Sequence, residues 1–185
     1  AIVIEGSDNV ISRVNSSNIN GNVAGVAGVY LSATASNNIL TQIVSSSTSD
    51  TGIKLVSADN NIISFYTSAN TTWNGVYLDG TGTNGNIFNS LAITNTSDPI
   101  QSNSAGTYTS TVANIYNNLA ISNYTNWAIH IQDSTSIFSG YILAGASPTC
   151  SSSGSNLNSG CGGSGVTVVA SDIATALKGP VTSDT

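Results

Sequence analysis

Six times in this chain a short apolar run follows an asparagine, or in one case a serine. The runs are "NVISRV" from Asn9, "NILTQI" from Asn38, "NIISFY" from Asn61, "NIFNSL" from Asn86, "NIYNNL" from Asn114 and "SIFSGY" from Ser136. They recur at intervals of 29, 23, 25, 28 and 22 residues. A second motif precedes each: "AIVIE" at Ala1, "GVYLS" at Gly28, "GIKLV" at Gly52, "GVYLD" at Gly75, "PIQSN" at Pro99 and "AIHIQ" at Ala128. From an asparagine register to the next second motif takes 19, 14, 14, 13 and 14 residues, so one arc of the repeat is nearly constant. Self-similarity at a fixed period of this size marks a chain assembled from stacked supersecondary units.

The units are strand-like. "GVYLS" alternates apolar and other residues at period two. β-branched and aromatic residues fill the runs, and Asn, Gly, Ser and Thr fill the gaps. A third strand is expected in each repeat, at "SLAI", "NLAI" and "GYIL". Three short strands in roughly 23 residues, unit after unit, predict an all-β parallel solenoid of about six coils. Each coil touches only its neighbours and stacks its strands at about 4.8 Å.

A column of asparagines has a physical role in such a stack. Identical side-chain amides pass hydrogen bonds from coil to coil, and Asn also tolerates the left-handed backbone of a sharp corner. The expected ladder is Asn9, Asn38, Asn61, Asn86, Asn114 and Ser136. A second polar ladder runs Ser12, Thr41, Ser64, Asn89, Asn117 and Ser139. The inward stacks are Ile2, Val29, Ile53, Val76, Ile100 and Ile129, with Ile4, Leu31, Leu55, Leu78 and Ile131 beside them.

Only 6% of residues are charged, with net charge −6 and Arg13, Lys54 and Lys178 as the three basic residues. Disorder usually requires low hydrophobicity together with high net charge. Here 39% of residues are hydrophobic and the mean hydropathy is +0.12, so a core can form. Nucleic-acid binding needs clustered cations to displace counterions; that partner is excluded, as is electrostatic docking on anionic membranes. No apolar run approaches the roughly 20 residues of a membrane span, so no membrane insertion is expected. No signal peptide is visible at Ala1, and the chain reads as a mature protein or an excised fragment.

The "GVYL" and "NNII" repeats resemble right-handed, single-stranded parallel β-helix proteins, and more narrowly the Asn-rich β-helix repeats of bacterial envelope and surface proteins. The resemblance spans Ala1 to about Gly145. That superfamily includes pectate lyases, polygalacturonases, phage tailspikes, adhesins and passive shafts, so the resemblance specifies fold far more than function.

Three segments are expected: the repeats at 1–145, a Gly/Ser-rich cysteine loop at 146–165, and a C-terminal strand with a short helix at 166–185, acting as a cap or a linker. The loop holds Cys150 and Cys161, the only cysteines, with ten residues between them. A disulfide there would stabilise by about 3 kcal/mol on the chain-entropy model, and free thiols are the alternative. "VTVV" at 166–169 reads as a strand. "SDIATALKG" reads as a helix with Ser171 as N-cap and Gly179 past its end.

Chemistry could sit on the outward side of the first strand column: Val3, Tyr30, Lys54, Tyr77, Gln101 and His130. One step on lie Glu5, Ser32, Val56, Asp79, Asn103 and Gln132. Tyr30, Lys54, Tyr77, Asp79 and His130 form the candidate ligand face, with the loop from Ser102 to Ala113 expected beside Tyr77 and His130. By resemblance, β-helix enzymes place their groove on such a face, beside variable loops. A hydrolase needs carboxylates roughly 5–9.5 Å apart, whereas Glu5 and Asp79 are three coils, about 14 Å, apart. His130 has no Ser or Cys partner, and Asp50 and Asp59 fall at turns. No catalytic residue, metal or cofactor is therefore expected. "DGTGTNG" at 79–85 lacks the bidentate Glu of a calcium loop. Its GxGxxG is followed by no helix, which fails the dinucleotide pattern. Ice binding needs threonines in one column, and here they fall in different registers.

The expectation is a non-enzymatic extracellular module of a bacterial surface protein, acting as rigid spacer or adhesin and binding glycans through the exposed strand face. Its partners would be a cell-surface glycan or neighbouring subunits of a fibre. The alternative is a polysaccharide lyase or hydrolase whose site is weak or shared between subunits.

Overall fold

The computed structural model describes residues 1–18, 27–80, 83–103, 114–131, 136–144, 150–152 and 166–167. The strands divide alternately between two parallel sheets. Sheet A contains β1 (Ile2–Ile4), β3 (Ala27–Leu31), β5 (Thr51–Val56), β7 (Asn74–Asp79), β9 (Asp98–Asn103), β11 (Ile129–Ile131) and β13 (Cys150–Ser152), hydrogen-bonded in that order. Sheet B contains β2 (Val10–Ser17), β4 (Ile39–Ser46), β6 (Ile62–Ala69), β8 (Ile87–Thr96), β10 (Ile115–Tyr124), β12 (Ile137–Ala144) and β14 (Val166–Thr167). The chain winds from one sheet to the other and back, which is a parallel β-solenoid.

Register follows the repeat. Ile2, Val29, Ile53, Val76, Ile100 and Ile129 face one another across successive strands, as do Ile4, Leu31, Leu55 and Leu78. From Val29 on, the described side chains of these stacks are almost wholly buried. Sheet B contributes a second wall of Leu40, Ile63, Phe88 and Tyr116, with the Phe88 and Tyr116 rings stacked at 4.9 Å and 5°.

Each long strand of sheet B changes phase midway. Leu40 and Ile43 are both fully buried although three residues apart, as are Ile63 and Tyr66. A strand alternating at period two would put such pairs on opposite faces. Between them one residue takes a left-handed backbone: Arg13, Gln42, Phe65, Ser90, Asn118 and Gly140, with φ from 54° to 60°. This column skips its place in the strand pairing. The strand bends there, and its second half is the third strand expected from "SLAI" and "NLAI".

The ladder asparagines, expected to serve both corners and hydrogen bonds, do only the second. The left-handed corner belongs to the residue before each: Asp8, Asn37, Asn60 and Gly85. The doublets Asn37-Asn38 and Asn60-Asn61 are thus one corner and one rung. A further left-handed column, Asn18, Ser47, Asn70, Asn95 and Asn123, lies at or within one residue of the C-terminal ends of the sheet B strands.

Only glycine and, less well, Asn or Asp adopt a left-handed backbone without appreciable steric cost. Phe65 does so at φ 54° while its ring is 63% exposed, so little burial depends on it. Phe65→Asn is therefore expected to raise the unfolding free energy by about 0.5–1 kcal/mol. The check is a higher urea midpoint at unchanged slope.

The segment expected as a cysteine loop at 146–165 contains β13, whose Cys150 pairs with Ile129 of β11. Parallel pairing uses backbone groups alone, so a Cys-Ser-Ser stretch can join the sheet without an apolar pattern. β14 covers the first two residues of the strand expected at 166–169. Ser102 and Asn103, expected to open the long loop to Ala113, instead end β9; the rest of that loop at 104–113, Cys161, the helix after Ser171 and the full number of coils lie outside the described residues.

Candidate functional site

The asparagine column is the best-connected polar feature. The Nδ2 of Asn9, Asn38, Asn61 and Asn86 donates to the Oδ1 of the next member at 2.9, 3.0, 3.0 and 3.1 Å. The backbone N–H of the same four residues donates to that same Oδ1 at 2.9–3.0 Å. Each receiving oxygen therefore has both lone pairs filled. The second amide proton goes to a carbonyl of the preceding coil: Gly6 for Asn38, Ala35 for Asn61, Ala58 for Asn86 and Thr83 for Asn114. Asn38, Asn61 and Asn86 are fully buried, and Ser136 continues the column at 3% exposure. In the second polar ladder Asn117 donates to Asn89 at 2.9 Å.

A polar seam also crosses the core between the walls. Ser16 donates to the carbonyl of Gly28, Ser45 to that of Gly52, and the buried Tyr66 hydroxyl to that of Gly75. Burial pushes the Tyr66 phenol far up, against smaller opposing contributions from Ser68 and Ser45, and burial pushes Tyr141 up to about 12. Both favour the neutral phenol in the folded chain. Their stabilisation is whole below the ordinary tyrosine value of about 10 and is lost as pH rises beyond it. Alkaline titration is expected to destabilise the protein above about pH 10, with a shallower fall in Tyr66→Phe; equal falls would contradict this.

The outward column of sheet A is continuous. Val3, Tyr30, Lys54, Tyr77, Gln101 and His130 are direct strand partners in turn. Asp79 sits opposite Val56, diagonal to Lys54, and the Lys54 Nζ lies 3.3 Å from its Oδ2. The same Nζ lies 5.0 Å from the centre of the Tyr77 ring. With side chains 16% and 32% exposed, the pair is a partly screened surface bridge, worth at most about 1 kcal/mol. Asn74 donates to the Gln101 Oε1 at 2.8 Å, fixing the orientation of that carboxamide.

Lys54, Tyr77 and Asp79 thus meet, while His130 stands three strands from Lys54, about 14 Å along the stack. Two further acids near sheet A are held by turns, while Glu5, just after β1, is exposed. Asp98 accepts from the Trp127 N–H at 3.2 Å and from Asn126. Asp59 accepts from the Asn84 N–H at 3.0 Å. In the "DGTGTNG" turn the Thr83 hydroxyl donates to the Asp79 carbonyl and accepts from the Ser57 N–H. Among the described residues no three His, Cys, Asp or Glu side chains gather as metal ligands.

Two side chains on this edge escaped the sequence reading. Trp73 and Trp127 are the only tryptophans, and both are exposed, at 56% and 40%. Each stands just before a sheet A strand, and the Asp98 segment between them bonds to both. The Trp127 ring lies 6.2 Å from that of His130, beside the outward column. The signal was present: in "TTWNGVY" and "TNWAIH" a tryptophan directly precedes the second motif. Compared with protein-family models, curated proteins and solved structures, the chain matches none.

Proposed function

We propose that this chain is a non-enzymatic extracellular module of a bacterial surface protein. It acts as a rigid spacer or adhesin, and it binds glycans through the outward face of sheet A. The observation that carries the reading is the unbroken column Tyr30, Lys54, Tyr77, Gln101 and His130, with Trp127 beside His130. Aromatic rings present broad faces at low rotamer cost, and here the parallel pairing of the sheet A strands fixes their spacing. The seven described strands of each sheet span about 29 Å along the stack, which suits a spacer. The bacterial and surface assignments, the right-handed winding and the Cys150–Cys161 bridge rest on resemblance and composition.

The lyase or hydrolase alternative is disfavoured by geometry. Asp79 is paired with Lys54, and His130 is too distant to share a reacting atom with either. A glycan array compares wild type with a Tyr30→Ala/Tyr77→Ala double variant. Binding by wild type and its loss in the variant is the expected result. Unchanged binding removes this face as the site, and no signal in either removes the glycan role and leaves the spacer.

A further inference from the structure

The outward column of sheet A has a period of its own. Rings occupy every second strand, at Tyr30, Tyr77 and His130, and hydrogen-bonding side chains occupy the strands between, at Lys54 and Gln101. Two strand spacings put the rings about 9.6 Å apart. From this we infer that the face binds an extended, neutral, β-1,4-linked polysaccharide lying along the solenoid axis, with its two-sugar repeat in step with the rings. The inference rests on the glycan-binding reading above and names the ligand class.

The chemistry of each partner fits. In an extended β-1,4-linked chain, successive pyranoses turn over, so the same C–H face returns every second sugar. Those faces stack on rings, and the equatorial hydroxyls of the intervening sugars meet polar groups. Gln101 is prepared for that: its Oε1 is held by Asn74 at 2.8 Å, which turns the amide nitrogen to the other side as a donor. The charge balance selects against polyanions. Lys54 is matched by Asp79 at 3.3 Å, Asp98 lies at the same edge, and the whole chain carries −6. An extended peptide is a poorer occupant, because the sheet A backbone is already spent on its own strand pairing. Trp127, 40% exposed and just before the strand that carries His130, widens the platform sideways at that ring.

The test is binding of cello-, manno- and chito-oligosaccharides, from disaccharide to octasaccharide, by isothermal titration calorimetry, with oligogalacturonates as the anionic arm. Affinity is expected to rise in steps of two sugars. Tyr77→Ala is expected to weaken the hexasaccharide about tenfold, while Tyr77→Phe keeps both the ring and the steps. Should Tyr77→Ala fail to fold, judged by circular dichroism, Tyr30→Ala carries the same expectation for the octasaccharide. Affinity rising smoothly with each sugar, persisting in the alanine variants, or favouring oligogalacturonates overturns the axial register while glycan binding stands. No binding to any of these probes, together with a silent glycan array, overturns both.

Discussion

Asn61→Ala is expected to lower the unfolding free energy by roughly 3 kcal/mol, one of the two largest single-residue effects in this fold. The Asn61 Oδ1 accepts from both the backbone N–H and the Nδ2 of Asn38, and its own Nδ2 reaches the Asn86 Oδ1 and the Ala35 carbonyl. All three asparagines are fully buried. Truncation leaves the Asn38 N–H without an acceptor and removes a donor from the Ala35 carbonyl. Each buried group left unsatisfied costs about 1–3 kcal/mol. The exposed Asn9 provides the internal comparison. Its truncation removes only the outer rung to Asn38, and a loss of about 1 kcal/mol or less is expected. Chemical denaturation of both variants measures the difference. Equal losses would mean that the ladder contributes through asparagine's backbone preference and not through its hydrogen bonds.

Gly52→Ala is expected to cost a comparable amount, about 1–3 kcal/mol, through crowding. A methyl on Gly52 would fall on the Tyr66 hydroxyl and lie 2.7 Å from both the Gly75 carbonyl and the Ser68 hydroxyl. One obstacle is a side chain and another is backbone of the next coil, so the strain cannot be relieved by a rotamer change alone. Tyr66→Phe removes the hydroxyl contact along with its bond to the Gly75 carbonyl. The double variant should then be less unstable than the sum of the singles, because the two residues share one contact. Strict additivity would show that the Gly75 carbonyl, not Tyr66, sets the limit. Gly6→Ala, whose methyl would meet only the Asn9 amide at 3.3 Å, serves as the near-neutral control.

How legible each feature was depends on which neighbours it needs. The asparagine register, the inward stacks and the outward column from Tyr30 to His130 could all be read from the repeat. In a parallel solenoid, residues at equal phase must stack, whatever the loop between them does. Where phase alone was not enough, the reading fell short. Asn was assigned the left-handed corners, but Arg13, Gln42 and Phe65 adopt that backbone as well. Their side chains give no sign of it, because the closing of the coil imposes the bend on whatever residue stands there. Trp73 and Trp127 lie in turns outside the period-two pattern, so alternation gave them no face. β13 has no apolar pattern at all, and its place in sheet A comes from β11 offering a free edge.

By itself, then, the sequence determined the coil: which residues face inward, which form the ladder and which share the outer column. Those assignments need only the two-residue period of a strand and the repeat interval. The tertiary structure alone decided where each coil bends, that Lys54 closes on Asp79 rather than standing apart, and that Gly52 must carry no side chain beneath Tyr66. Each of these depends on the lateral offset and the wall-to-wall distance between strands. Loop lengths and core volume set those quantities jointly, and no local pattern encodes them.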